Sequence, residues 1–265
     1  MKHSHRQKAI QKLEEAKKKE LALSSYYQLY QDLLQIHEKV ENNIKASLDL
    51  VDEDSMDERT HSGKPQLSFE HLSIDPHLFA DQVHRILALL LAYQEEEVEV
   101  SSINEDNMLE KARHHFLQTR SIENPDLLEL AIDQALMPYL EHAARQINQY
   151  LDTKKWLHSN CLCCGAEPNF AYLDSEGTRI LICSRCRTQW RFKRTGCPYC
   201  GNIDPKTLHY YPAGEKKHYR LYVCDSCKRY LKAIDQRIVG TDIDLVAEPI
   251  LTWSLDKAAR EKGYL

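Results

Sequence analysis

Four Cys-x-x-Cys motifs lie between residues 161 and 227: CLCCG (161–165), CSRCR (183–187), CPYCG (197–201) and CDSCK (224–228). All nine cysteines of the 265-residue chain fall in this stretch. A single motif is a weak signal, but four in close succession are typical of tetrathiolate metal sites. The predicted metal ligands are therefore Cys161, Cys164, Cys183, Cys186, Cys197, Cys200, Cys224 and Cys227.

Each motif has a spacing suited to one ion. Two intervening residues allow a tight turn, so that both sulfurs reach a metal about 2.3 Å away. Gly165 and Gly201 follow the first and third motifs, where glycine tolerates a left-handed backbone. Arg187 and Lys228 follow the second and fourth, where a cation offsets thiolate charge. We expect two ions, Zn or Fe, because tetrahedral sulfur sites suit either metal.

The segments between the motifs predict how the cysteines pair. Residues 170–182 are typical of a strand, a turn and a second strand, and residues 208–223 of a hairpin with a longer loop. A hairpin brings its ends together, so Cys161/Cys164 should share an ion with Cys183/Cys186. The third and fourth motifs should share the other. An interleaved cross-brace remains the alternative. Cys163 is expected to be a small neighbour of the first site, with ligand exchange as the other possibility.

Composition and charge argue against a secreted, membrane-spanning or nucleic-acid-binding protein. Residues 1–20 are rich in Lys and Glu and contain no apolar segment typical of a signal peptide. The longest apolar run, 86–92, is far shorter than the roughly 20 residues of a membrane span. We therefore expect a cytoplasmic protein with reduced thiols, which disfavours disulfides. Residues 161–232 contain 13 Lys/Arg and six Asp/Glu. Two thiolate-bound divalent ions would lower this region's charge to about +3, which disfavours nucleic-acid binding.

The rest of the chain is predicted to be helical. The pattern indicates an all-α bundle of about five helices in residues 1–155. Its segments are a helix at 8–46, an acidic loop at 47–74, and helices starting at Asp75-Pro76, near Glu105 and at Asn124-Pro125. We expect a kink or break near Met137, before Pro138. After the cysteines, 231–239 should extend the sheet, and 242–262 should be mostly helical but split at Pro249.

These predictions give an α+β chain of four parts. They are the helical domain at 1–155, a first four-cysteine ribbon at 156–194, a second at 195–240, and a C-terminal helical segment at 241–265. We find no phosphate loop, nucleophile elbow or His-Glu-x-x-His motif, so we expect neither an enzyme nor catalytic residues.

A cationic segment is a candidate partner surface. It contains Arg185, Arg187, Arg191 and Arg194, with Trp190 and Phe192 between them. One interpretation is a connection between the ribbons whose aromatic side chains belong to the core. The other is a docking surface for an acidic partner or a nucleic acid. The histidines at 158, 209 and 218 are expected to be surface or packing groups, because eight cysteines already fill two sites. His114 and His115 are expected on a helix surface.

The ribbon residues resemble the FdhE family, the formate dehydrogenase accessory proteins. The resemblance rests on the four motifs together with Gly177–Ile182, Trp190, Arg194, Leu208–Tyr210 and Tyr230–Lys232. It covers about residues 63–265 and is specific in 161–232. It implies an all-α N-terminal domain, two rubredoxin-like ribbons, and a cytoplasmic protein that binds the catalytic subunit of formate dehydrogenase during assembly.

Two features depart from the family pattern. The sequence ends at Leu265 without an extension containing Asn-Pro, which puts a tail-mediated contact in doubt. The first motif has Leu-Cys between its ligands instead of Pro-x, which leaves metal binding intact. The favoured function is a non-catalytic assembly factor. The alternatives are a zinc-ribbon nucleic-acid-binding factor and a rubredoxin-like electron carrier.

Overall fold

The computed structural model describes residues 5–44, 53–93, 107–118, 126–153 and 155–265. The chain divides into two compact units, one of Met1–Val51 with Leu67–Gln149 and one of Asp52–Gln66 with Tyr150–Leu265. Residues 52–66 thus group with the ribbons, although a domain of 1–155 was predicted to contain them. The Gln66 N–H donates to the Leu162 carbonyl at 3.0 Å, which ties this segment to the first motif. Among the described residues, no helix is long and apolar enough to cross a membrane.

The first unit consists of helices whose bounds partly differ from the prediction. They are α1 (His5–Lys19), α2 (Ser24–Glu41), α4 (Pro76–Ala92), α5 (Met108–Leu117) and α6 (Leu127–Ile147). The single helix predicted at 8–46 is wrong, because a 3₁₀ turn at Leu21–Leu23 separates α1 from α2. The turn lets α1 fold back on α2, which buries Leu13 and Tyr27 completely.

The starts of two helices follow capping residues. The Asp75 side chain accepts the Leu78 N–H at 2.9 Å, as expected for the predicted helix start. Asp126 and Glu129 form a capping box ahead of α6. The predicted starts at Glu105 and at Asn124-Pro125 lie outside the described residues, as do Asp49 and Asp52 of the predicted loop.

Helix α6 continues through Pro138, so of the predicted kink or break near Met137 the break does not occur. An internal proline costs about 3 kcal/mol. Met137, Leu140 and Ala143 around it are all buried. Burial of one large apolar side chain contributes about 1.5 to 3 kcal/mol, so packing of this face outweighs the missing hydrogen bond.

A further helix, α3 (Glu53–His61), lies where a loop was predicted at 47–74. Met56 and Thr60 are one turn apart and both buried. The Gln66 side-chain amide donates to the Met56 carbonyl at 3.0 Å, and Arg59 donates to the Pro65 carbonyl. These contacts with the following residues stabilise a helix whose acidic sequence lacks a strong apolar stripe.

The second unit contains a six-stranded sheet. Its strands are β1 (Pro168–Leu173), β2 (Arg179–Cys183), β3 (Gln189–Phe192), β4 (Leu208–Ala213), β5 (Tyr219–Cys224) and β6 (Arg229–Asp235). The order is β3-β2-β1-β6-β5-β4. The β1/β2 and β4/β5 hairpins confirm the prediction, and each ribbon adds a third strand. Strands β1 and β6 pair in parallel and join the two ribbons, with Phe170 opposite Lys232.

The segments after the ribbons differ from their predicted bounds. Strand β6 ends at Asp235, and residues 236–239, predicted to extend the sheet, form the short helix α7 (Gln236–Val239). The helices α8 (Glu248–Leu251) and α9 (Trp253–Glu261) begin later than predicted. Pro249 lies in the first turn of α8, where it replaces no internal hydrogen bond, so the split falls at Thr252. Helix α9 packs on β5, with Ala259 against Leu221 and Val223.

The predicted α+β class is confirmed.

Candidate metal centres

The four Cys-x-x-Cys motifs fold into similar turns. In the first, the Gly165 N–H donates to the Cys161 carbonyl at 2.9 Å, and the Cys161 N–H donates to the Ala166 carbonyl at 2.8 Å. The third motif repeats both bonds, from Gly201 to Cys197 and from Cys197 to Asn202. These bonds hold the two sulfurs of a motif on the same side of the chain.

The residue after each motif has a left-handed backbone. The φ angles are 80° at Gly165, 74° at Gly201, 58° at Arg187 and 56° at Lys228. A left-handed conformation costs a non-glycine residue about 1 to 2 kcal/mol. The turn therefore imposes its conformation at all four positions, and two of them are occupied by cations in spite of that cost.

The eight predicted ligands form two groups of four. Within each group, the four Sγ atoms all lie within 4.8 Å of one another. The Sγ–Sγ distances include 3.4 Å for Cys164–Cys183 and 3.6 Å for Cys197–Cys227. Sulfurs about 2.3 Å from a central ion would be about 3.8 Å apart, whereas a disulfide needs about 2.05 Å. The predicted pairing of the motifs is confirmed, and a cross-brace is excluded.

The two groups, here called the first and second clusters, differ in exposure. All four cysteines of the first cluster are buried, whereas Cys200 in the second is exposed and Cys227 is partly so. Backbone N–H groups point at the sulfurs in both. The N–H groups of Arg185 and Cys186 lie 3.4 Å from the Cys183 Sγ, and that of Tyr199 lies 3.4 Å from the Cys197 Sγ.

Four of the eight ligand thiols have a raised pKa in the absence of a counter-charge, namely Cys161, Cys164, Cys197 and Cys227. Burial raises the pKa of Cys161 well above its usual value and that of Cys197 to about 11. Burial also opposes ionisation of Cys224, but the N–H of Cys227 and the amide of Asn202 outweigh it and lower that pKa to about 6. A divalent cation would stabilise the remaining thiolates, because a coordinating thiol loses its proton to the metal's field. The donor set and the spacing thus fit Zn or Fe.

Comparison with known proteins finds several similar proteins that share one name. A protein from Aquifex aeolicus named Protein FdhE homolog is 27% identical over 241 residues, covering 88% of this chain and 83% of the relative. Proteins of the same name from Shewanella sp. strain MR-4 and Haemophilus influenzae strain PittEE are 29% and 31% identical. The chain spans about half the length of those two relatives, 48% and 44%. No family model matches.

This chain is similar to proteins named FdhE homolog over most of its length. The resemblance predicted from the motifs is thereby confirmed. The crystal structure of the FdhE protein from Pseudomonas aeruginosa has the same fold, with a TM-score of 0.64 at 21% identity. That likeness covers 98% of this chain and 92% of the other.

The four predicted partner-binding arginines do not share one surface. Arg185 is only 6% exposed, and the half-buried Arg187 guanidinium lies 3.5 Å from the Leu245 carbonyl. Arg191 and Arg194 are exposed. The segment is not a mere connection, because β3 pairs with β2 and buries Trp190 and Phe192. Arg185 and Arg187 lie in the turn of the second Cys-x-x-Cys motif, before β3 begins, whereas Arg191 occupies an exposed position of β3 itself. The sequence analysis missed this boundary, which separates the arginines.

The histidines lie outside both clusters. His209 contacts the Asp225 carboxylate at 3.1 Å, His158 packs on Trp156, and His218 packs on Tyr219. His115 differs from its prediction, because it is buried and lies 2.9 Å from the Asp133 carboxylate. His114 is exposed, as expected.

The sequence analysis also missed residues that support the clusters. The Asn202 side chain donates to the Cys224 Sγ at 3.6 Å, and the Thr188 hydroxyl lies 3.2 Å from the Cys186 Sγ. Each lies two residues after the last cysteine of a motif, so this spacing could have identified them as residues that contact a ligand sulfur. Cys163 is fully buried, and hydrogen bonding to Cys186 followed by burial raises its pKa. It lies beside the first cluster without belonging to its four ligands.

Proposed function

We propose that this chain is a non-catalytic assembly factor that binds the catalytic subunit of formate dehydrogenase in the cytoplasm. The observation that carries the proposal is the pair of four-sulfur clusters built into one sheet of a chain similar to proteins named FdhE homolog. A site with four protein ligands has no open position for a substrate. Such clusters therefore favour a structural role, in which they fix a binding surface.

The eight cysteines would hold two ions, Zn or Fe, one in each cluster. Each ion would cross-link the two Cys-x-x-Cys turns that the hairpin already brings together. Because metal binding is coupled to folding, a strong chelator should unfold the ribbons and spare much of the helical signal.

Paired substitutions test the metal assignment. Cys161→Ser/Cys164→Ser should reduce the metal content from two ions to one, and Cys197→Ser/Cys200→Ser should do the same. Elemental analysis of the purified chain measures this, and the wild-type chain is the reference. Loss of both ions from either variant would contradict two independent sites.

The exposed arginines of the β3 segment are a candidate surface for the partner. Arg191 and Arg194 are the exposed members of the predicted set, and Arg187 is half-buried. Arg185 is removed from the proposed surface because it is buried. Charges at the rim of an interface mainly increase the association rate and its sensitivity to salt. An acidic patch on the catalytic subunit would complement them.

The test is capture of the formate dehydrogenase catalytic subunit by the metallated chain. Wild type should retain the subunit, and Arg191→Glu/Arg194→Glu should weaken retention most at low salt with an unchanged metal content. Lys206→Glu, an exposed charge reversal elsewhere on the second ribbon, is the control. Equal retention of the subunit by wild type and the double variant would show that these arginines are not part of the partner surface. Failure of the metallated wild type to capture a folded subunit would refute the assembly function.

One observation favours electron transfer as a second candidate. Cys200 is exposed in the second cluster, so an ion there would lie close to solvent and to a redox partner. Iron-loaded protein would then show a reversible change in visible absorbance on reduction. A chain purified with zinc alone and unable to cycle with iron would refute this candidate.

A further inference from the structure

The second ribbon has one covered face and one open face. Helix α9 packs on the face that contains Leu221 and Val223. The opposite face of β4, β5 and β6 forms the floor of a groove of about 210 Å³. Its floor includes Leu208, Tyr210, Tyr222, Arg220, Arg229 and Leu231. Ile203 at the rim is 64% exposed, and Tyr210 is 55% exposed, so the groove presents apolar surface to solvent.

The Lys, Arg, Asp and Glu residues that line this groove are all cationic, and the ligand sulfurs of Cys197 and Cys224 lie beside them. The cations are Arg179, Arg194, Arg220 and Arg229, and no Asp or Glu lies among the lining residues. Arg220 pairs with Asp235 and Arg229 with Glu167 from outside the lining. Arg194 is exposed at the mouth. Arg194 is therefore the cation at the mouth that is exposed to complement an anionic group of a ligand.

Arg179 is a buried donor with unused capacity. Only 2% of the residue is exposed, and its guanidinium carbon lies 5.3 Å from the ring centroid of Phe192 and 5.4 Å from that of Tyr222. Its Nη2 donates to the carbonyls of Lys193 and Gly196, at 2.5 and 2.6 Å. Its Nε is buried without a hydrogen-bond partner among the described residues. An unsatisfied buried donor costs about 1 to 3 kcal/mol, so an acceptor oxygen that reached it would be bound favourably.

The groove adjoins the free edge of the sheet at β4. The Thr207 carbonyl accepts the Asp225 N–H, which sets the alternation along the strand. His209 and Tyr211 therefore turn their backbone groups towards β5, and Leu208 and Tyr210 turn theirs outwards. Pro212, the next outward position, has no N–H and limits further pairing. An extended segment could add here, with alternate side chains over the groove.

We propose that this groove binds an extended acidic segment of a partner protein. The segment adds a strand to β4 through Leu208 and Tyr210 and places a carboxylate beside Arg179 and Arg194. Apolar or aromatic neighbours of the carboxylate cover Ile203 and Tyr210. The inference rests on the proposed function, for which it names the kind of segment that is recognised.

A display library of random short peptides, panned on the metallated full-length chain, tests the groove directly. Enriched peptides should combine Asp or Glu with apolar or aromatic residues. Their retention should fall at least about tenfold on Arg194→Glu, since a close charge pair is reversed. The Tyr210→Pro variant should lose more peptide retention than Tyr210→Ala, because only proline removes the backbone N–H that points outwards from the sheet edge. Lys216→Glu, an exposed charge reversal outside the groove, should retain the peptides.

Either of two results would overturn the proposal. One is enrichment of no peptides or of peptides without acidic residues. The other is equal retention on wild type, Arg194→Glu and Tyr210→Pro, each checked to contain two ions. The library contains no formate dehydrogenase subunit by design, so its failure removes the groove alone. Capture of the catalytic subunit separately decides the assembly function.

Discussion

Gly201, at the scale of single residues, occupies a turn position where glycine is favoured by conformation alone. Its φ is 74°, and an added Cβ would meet no described atom within 4 Å. Gly201→Ala should therefore cost about 1 to 2 kcal/mol through backbone strain. This corresponds to metal binding at the second cluster that is weaker by about five- to thirtyfold.

Chelator competition measures this change, with the first cluster as an internal reference. Gly201→Asn is the matched control, because asparagine tolerates the left-handed region better than alanine. A Gly201→Ala variant that holds its ion as tightly as wild type would show that the turn relaxes at no cost.

Asp235 is a buried carboxylate between two arginines. Its side chain is 1% exposed and lies 2.6 Å from Arg237 and 2.7 Å from Arg220. Hydrogen bonding from Arg237, which outweighs burial, lowers the pKa of Asp235 to about 2. A lowered pKa in the folded state means that the ionised group stabilises the fold above its unfolded pKa. That contribution is lost as the pH falls through the folded value.

Asp235→Asn should lower the free energy of unfolding by about 1 to 2 kcal/mol at neutral pH. The difference from wild type should persist down to about pH 4 and disappear towards pH 2. Denaturant unfolding of both proteins across this range measures it, and the comparison is restricted to samples that still contain both ions, because metal loss itself would unfold the ribbon. A difference that does not change between pH 5 and pH 2 would contradict the role of the charge.

Helix α9, at the scale of elements, covers one face of the second ribbon. Ala259 is fully buried against Leu221 and Val223, and Asp256 on the same helix accepts from the buried Lys232 at 2.6 Å. Ala259→Asp would bury an unpaired carboxylate, which costs several kcal/mol. The helix should detach, and hydrogen exchange of the β5 and β6 amides should become faster.

Lys257→Asp is the control on the same helix, because Lys257 is exposed. Surface substitutions usually change stability by less than about 0.5 kcal/mol. Unchanged exchange in Ala259→Asp, or equal acceleration in Lys257→Asp, would show that α9 does not protect the sheet through this contact.

Residues 52–66 matter at the scale of the whole molecule, because they group with the second unit although the first unit's sequence flanks them. Gln66 bonds the Leu162 carbonyl inside the first Cys-x-x-Cys motif, and Leu162 is fully buried. A fragment of residues 150–265 should therefore hold both ions but release the first one faster than the full chain. The second cluster should not differ.

Each cluster can be followed separately in chains that carry Cys161→Ser/Cys164→Ser or Cys197→Ser/Cys200→Ser. The rate of transfer to a chelator is the measurement, and a fragment beginning at residue 52 is the control. Equal rates for the first cluster with and without residues 52–66 would contradict a supporting role for this segment.

The sequence by itself determined the features that depend on neighbouring residues. A Cys-x-x-Cys turn and the hairpin between two such turns are local, so the sequence favoured the division of the eight cysteines into two sets over a cross-brace. The Asp75-Pro76 helix start is equally local, because the cap and the helix it begins are adjacent. The ribbon motifs also carried the resemblance to the FdhE proteins.

Only the tertiary structure decided the features that depend on distant residues. The parallel pairing of Phe170 with Lys232 joins the ribbons across 62 positions, and no local pattern encodes such a partner. The same holds for Arg185, which is buried although Arg191 and Arg194 of the same predicted set are exposed. The groove around Arg179 arises because the first ribbon supplies a cation to the second. Local spacing fixes which atoms can meet within a turn, whereas burial and strand order depend on how the whole unit packs.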